Sequence, residues 1–311
     1  MPENFNPQEI IRPRHPRRLL IGPDGLVRPG CRALLFLTLA ILSIGVVRLL
    51  LRALLPGFAE PAGTLIRSSG LVAAWLLLSW GFLVVLDRRS FRALGLWFYA
   101  PWAREFAIGV GIGAGMIFVV AAVQSAAGVV RYVGMTPNPS VAVHNAGILA
   151  AVLLVAAAAE EILFRGYGFQ RLVDSIGSLG AVTGFSVLFG AAHLVNPSAT
   201  WLSTVNTVLA GVLLAVAYLK TRALWMPIGL HWAWNYCMTA VLSLPVSGLH
   251  FGEKLFRVEI TGPEWLSGGS YGPEGSVVLT LVATAAIVAL ARSKRISTSP
   301  AMERALKSSL G

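Results

Sequence analysis

The sequence predicts an all-α protein, a polytopic membrane bundle of about eight transmembrane helices. Three observations lead there. The 311 residues are 56% hydrophobic and 13% charged, about half the charged fraction of an ordinary soluble domain. Several apolar runs reach the ~20 residues that a helix needs to cross a bilayer. Lys and Arg flank those runs rather than interrupting them, as topology signals do. Helices satisfy their own backbone hydrogen bonds in lipid, and the runs are too long and too unbroken for the alternating strands of a membrane barrel.

In chain order the spans fall at roughly 33–55, 65–86, 105–130, 145–171, 179–195, 200–219, 223–244 and 275–291. The fifth and eighth are short. No solenoid repeat or low-complexity tract interrupts them. The expected organisation is a basic cytoplasmic tail over 1–32, a membrane-embedded domain over 33–291 and a second basic tail over 292–311. Residues 1–32 do not read as a cleavable signal, because the first apolar run starts late, is long and lacks a small-residue cleavage site. Eight crossings put both ends on one side. Of the 25 Lys and Arg, eighteen lie in segments of that side and four on the other (Arg67, Arg131, Lys254 and Arg257), while Arg48, Arg52 and Arg165 fall within spans. The positive-inside rule then makes the ends cytoplasmic. The expectation is an integral protein of a prokaryotic plasma membrane, with segment 245–274 outside.

The net charge of +11 is absorbed by this topology and by anionic headgroups, so no nucleic-acid partner is expected. Cys31 and Cys237 have no metal-site spacing and form no disulfide framework. Gly109, Gly111, Gly113 and Gly115 allow close helix approach. Packing within the chain is a better reading of them than dimerisation through Gly111-x-x-x-Gly115, and the oligomeric state is not legible.

Against this background three polar groups stand out. The fourth span carries Glu160-Glu161-Ile-Leu-Phe-Arg165, the fifth Phe189-Gly-Ala-Ala-His193, and the seventh His231-Trp-Ala-Trp-Asn235. A charge at the bilayer centre costs about 2.5–3.5 kcal/mol on insertion scales. Glu161 and Arg165 are spaced four apart in the favourable order for a helical ion pair. That leaves Glu160, about 100° round the helix, without a local cation. Such a carboxylate suits a general base acting on water. A nearby histidine could orient the same water or hold a metal with it. His231 and Asn235 share a helix face and could stabilise an oxyanion. At ~1.5 Å per residue, Glu160, His193 and His231 lie very roughly 10–21 Å from the cytoplasmic surface, with His193 the deepest.

Each group alone has a blander reading: a structural ion pair, a satisfied core histidine, an interhelical hydrogen-bond clip. His15, His144 and His250 lie in tails or loops and receive no role. Three helices each contributing unusual polar groups favour a site. HExxH is absent, Asp24, Asp87 and Asp174 lie outside the spans, and no Gly-x-Ser is paired with a histidine, so other intramembrane protease chemistries fit poorly.

Taken in order, these motifs resemble the CAAX-protease and bacteriocin-processing (CPBP, or ABI) family of intramembrane endopeptidases, over about 145–245. The resemblance implies an eight-helix fold and a cytoplasm-facing catalytic cavity. It implies that Glu160 and His193 activate water, that His231 and Asn235 hold the oxyanion, and that Glu161 and Arg165 are structural support. The substrate it implies is a membrane-associated protein or peptide, prenylated in eukaryotic members. The family is commonly called metalloprotease. A zinc ion on Glu160, His193 and His231 and a metal-free glutamate mechanism both fit the motif. The other function classes are a non-catalytic scaffold or immunity protein on the same fold, and a proton-coupled transporter, against which the chain shows no inverted repeat.

Overall fold

The computed structural model describes residues 20–22, 25–54 and 62–308; most of the 1–32 tail lies outside them. The architecture is a helical bundle: α1 (Pro29–Leu54), α2 (Ala62–Gly81, continued by a π-turn Phe82–Leu86), α3 (Trp102–Ala126), α4 (Pro139–Arg165), α5 (Tyr167–Ala192), α6 (Trp201–Thr221), α7 (Trp225–Tyr236, continued by a π-turn Cys237–Val241), α8 (Val277–Arg292) and a short α9 (Pro300–Lys307). Among the described residues, five segments are long and apolar enough to cross a membrane, the fourth of them running through both α4 and α5. The outer faces are apolar, with Leu42, Leu49, Leu77 and Leu281 all well exposed, as lipid contact requires. The chain is an integral membrane protein.

Each expected span has a helix, and the boundaries differ for local reasons. The third stops at Ala126 because Gly128 takes φ +73° and Val130–Met135 forms strand β1. The fourth stops at Arg165 rather than near 171. A Cβ on Gly166 would meet the Ile162 carbonyl oxygen at 2.1 Å, and α5 begins immediately after it. Within α5, Gly177 (φ 80°, ψ 169°) breaks the helix.

Small residues set the tightest packing. A Cβ on Gly109 would fall 2.1 Å from the Met226 carbonyl oxygen, and one on Gly113 2.2 Å from that of Leu230. α3 and α7 therefore meet backbone to backbone, as small residues permit between membrane helices. Gly111 and Gly115 have nothing within 4 Å, so the close-packing pair is Gly109-x-x-x-Gly113, used within the chain.

The loops gather into two faces. On one, Asp87 joins α2 to α1 through Arg32 and to α5 through Tyr167 and Arg171. The Leu224 amide donates to the Gly95 carbonyl, and Lys220 Nζ donates to the Ser293 carbonyl at 2.7 Å. The segment expected to be a plain tail folds here: Ser299 caps α9, and Met302 is buried against Tyr99 and Ala223. On the opposite face β1 pairs antiparallel with β2 (Phe256–Ile260), Val130 opposite Ile260, which adds a two-stranded sheet to an otherwise helical fold. Gln124 Nε2 donates to the carbonyls of Leu266 and Ser267, and Asn206 Nδ2 to those of Glu274 and Ser276. Segment 245–274 is thus a folded cap.

Candidate active site

Glu160 and Glu161 are adjacent on α4 but face different surroundings. Glu161 is fully buried. Its Oε1 accepts from Arg165 Nη1 at 3.0 Å and lies 2.8 Å from His231 Nδ1. Arg165, also buried, donates through Nη2 to the Gly211 carbonyl at 3.0 Å, and its guanidinium sits 4.7 Å from the Phe189 ring centroid. The ion pair expected from the i,i+4 spacing is present, and it ties α4 to α6 and α7. A buried pair of this kind depends on its additional hydrogen bonds to offset desolvation.

Glu160 points into a cavity of about 860 Å³, bounded by residues of all eight long helices, α1 to α8, and of the cap. Its side chain is 37% exposed. Oε2 lies 4.0 Å from His193 Nε2 and 3.8 Å from His231 Nε2 and has no hydrogen-bond partner among the described residues. His193, the residue that ends α5, has its Nδ1 2.8 Å from the Phe189 carbonyl. A carbonyl only accepts, so Nδ1 carries the proton and Nε2 faces Glu160 as a lone pair in the neutral ring. His231 is oriented the same way by Glu161. Asn235, one turn further along α7, lines the cavity, and its side chain makes no hydrogen bond among the described residues. Glu160, His193, His231 and Asn235 thus all reach one space, with Glu161 and Arg165 packed behind it.

Residues 142–237 match the family model described as Type II CAAX prenyl endopeptidase Rce1-like. Over this stretch the chain is similar to the CAAX-protease family. No curated protein matches the chain, and no solved structure does. The match covers about a third of the sequence and contains all three polar motifs. It ends before Glu274, which the motifs did not reveal. Glu274 Oε1 accepts from Trp234 Nε1 at 2.9 Å, and Oε2 accepts from the backbone amide and hydroxyl of Ser247. This carboxylate clamps the cap to α7 one residue before Asn235. Its only sequence signal was one more Glu in an external loop.

The donor set considered for zinc does not fit a closed three-ligand site. Ligands at ~2.0–2.1 Å in a tetrahedral shell are about 3.3 Å apart, shorter than the separations at Glu160. Among the described residues no group of three His, Cys, Asp or Glu is arranged to hold a metal ion.

Proposed function

We propose that this chain crosses the membrane eight times and hydrolyses a peptide bond of a membrane-associated protein or peptide, with Glu160 as the general base. The observation that carries this reading is the convergence of two imidazole Nε2 atoms on one unpartnered carboxylate oxygen in the cavity. Separations of 3.8–4.0 Å suit one water oxygen at ~2.8 Å from each group. Glu160 and His193 hold that water. Glu160 takes its proton as the oxygen attacks the scissile carbonyl, the C–N bond breaks, and the proton passes to the leaving amine.

The developing oxyanion is received by Asn235 Nδ2–H and by His231. Because Nδ1 of His231 is committed to Glu161, donation from Nε2 requires the doubly protonated ring. Glu160 and Glu161 flank that charge on either side. Glu161 and Arg165 act as positioning residues: they fix the ring of His231 and do not touch substrate. No step is routed through a metal.

The test uses purified protein in bilayer nanodiscs with a peptide library. Removing a general base typically costs ~10²–10⁴ in rate, so Glu160→Gln and His193→Ala should lose cleavage by that order while keeping the thermal unfolding of the parent. The parent should keep its rate after dialysis against a chelator. Full activity in both variants would sink the assignment, and proton flux through liposomes that Glu160→Gln abolishes would replace it with transport.

A further inference from the structure

The cavity lies towards the cap face, and that side bears on the substrate. Its walls are built from helix ends and loops of the cap face: Asn145 near the start of α4, Asn206 near the start of α6, Ser247 and His250 from the cap, and Glu274. No described residue of the opposite face, within 20–32, 87–101, 166–178, 220–224 or 293–308, lines it. Towards that face the floor is closed. Glu161 and Arg165 lie fully buried behind Glu160, followed by the buried rings of Tyr167, Phe169 and Tyr218.

Helix lengths give the same asymmetry. Glu160 is five residues, ~7.5 Å, from the end of α4 on the closed side, and 21 residues, ~31 Å, from its start at the cap. The loop after His193 turns back into α6 near the level of the site, so α5 and α6 stop short and leave the space above them to the cavity. The closed face carries the basic loops, which the positive-inside rule assigns to the cytoplasm.

We propose that substrate enters from the non-cytoplasmic side. On the endopeptidase reading above, the substrate is then a peptide segment of an exported or membrane-anchored protein presented on that surface, and not a cytoplasmic tail. The cavity walls suit such a segment. They are mainly apolar, with Leu149, Leu153 and Leu279 among them, and the amides of Asn145 and Asn235 can meet an extended backbone. At the rim beside His193, Leu194, Val195 and Trp201 are exposed, which keeps the entrance at an apolar boundary where a membrane-anchored chain arrives.

Single-cysteine labelling tests the entrance without requiring turnover. In a Cys31→Ser/Cys237→Ala background, His250→Cys reports the cap, Glu160→Cys the cavity and Lys294→Cys the basic face. A membrane-impermeant maleimide applied to intact cells should modify the first two, and Lys294→Cys only after permeabilisation. Modification of Glu160→Cys only after permeabilisation, or from neither side, overturns the proposal, as does the reversed pattern for His250→Cys and Lys294→Cys. Should Glu160→Cys not accumulate, Asn145→Cys takes its place on the cavity wall with the same expectation. The two readings fail separately. Cleavage lost in Glu160→Gln with labelling from the cytoplasm keeps the protease and refutes the side, whereas labelling from outside with cleavage intact in Glu160→Gln does the opposite.

Discussion

Replacing Arg165 by Met should be among the most damaging single changes in this chain. The guanidinium is fully buried, and it serves one end of the Glu161 carboxylate while tying α4 to the Gly211 carbonyl on α6. Met approximates the volume and removes the charge, so Glu161 keeps only His231 Nδ1 as a partner. Breaking a buried ion pair from one side costs about 3–5 kcal/mol, because the remaining charge is left uncompensated. At the ~2 °C per kcal/mol appropriate to larger domains, this is a loss of about 6–10 °C in Tm. The double variant Glu161→Gln/Arg165→Met removes both charges and leaves an amide oxygen to accept from His231. It should recover more than half of that loss, since the penalty lies in the orphaned carboxylate. Intrinsic-fluorescence unfolding of the parent, both single variants and the double variant in one detergent gives the complete cycle. Additive losses, or an Arg165→Met Tm within 1 °C of the parent, would refute the reasoning, because they are the behaviour of a solvated pair.

Three further outcomes follow from local geometry. Gly113→Ala drives a Cβ to 2.2 Å from the Leu230 carbonyl oxygen and should cost at least ~1–3 kcal/mol as overpacking. Gly111→Ala meets open space and should gain about 0.5–1 kcal/mol as a helix substitution; opposite shifts in Tm check both. Asn235→Ala should lower kcat about 10²–10³-fold as a lost oxyanion donor, with KM little changed in a steady-state assay. In the cap, burial, and then the charge of Glu274, push the Tyr271 hydroxyl above its ordinary range. The unfolded chain releases this proton near pH ~10. Stability from this group is therefore complete below that pH and falls as pH rises past it towards the folded value. Tyr271→Phe should flatten the alkaline limb of a Tm-against-pH profile.

Hydropathy located the helices well because burial in lipid demands uninterrupted apolar length, and the second span, read as 65–86, ends where the π-turn ends at Leu86. It failed where apolarity did not change at a structural break. The run through Glu161–Arg171 hid the turn at Gly166, and only the backbone shows that no Cβ fits there. The sheet escaped because Val130–Met135 and Phe256–Ile260 are more than a hundred residues apart, and neither strand carries the pairing information alone. The terminal helix escaped because eight polar-rich residues show no membrane signal; its apolar anchor, Met302, has meaning only beside Tyr99 and Ala223.

The site was legible to the extent that its contacts are local. Spacing alone produced the Glu161–Arg165 pair and separated Glu160 from it. The bond from Glu161 to His231 spans seventy residues and was not readable; nor was the clamp of Glu274 on Trp234 and Ser247. The depth counted for His193 from residue 179 already began past the break at Gly177, and the fifteen residues from 178 to 192 rise the same ~22 Å. His193 nevertheless lies beside Glu160, which is five residues from the end of α4, so residue counts taken from two helix ends do not share one origin. The segment before the break belongs to the basic face, where Arg171 pairs with Asp87 and Asp174. The resemblance implied a cytoplasm-facing cavity and the charge distribution implied cytoplasmic basic loops. The cavity opens away from those loops, so the two implications cannot both hold for this chain, and labelling at His250 and Lys294 decides between them.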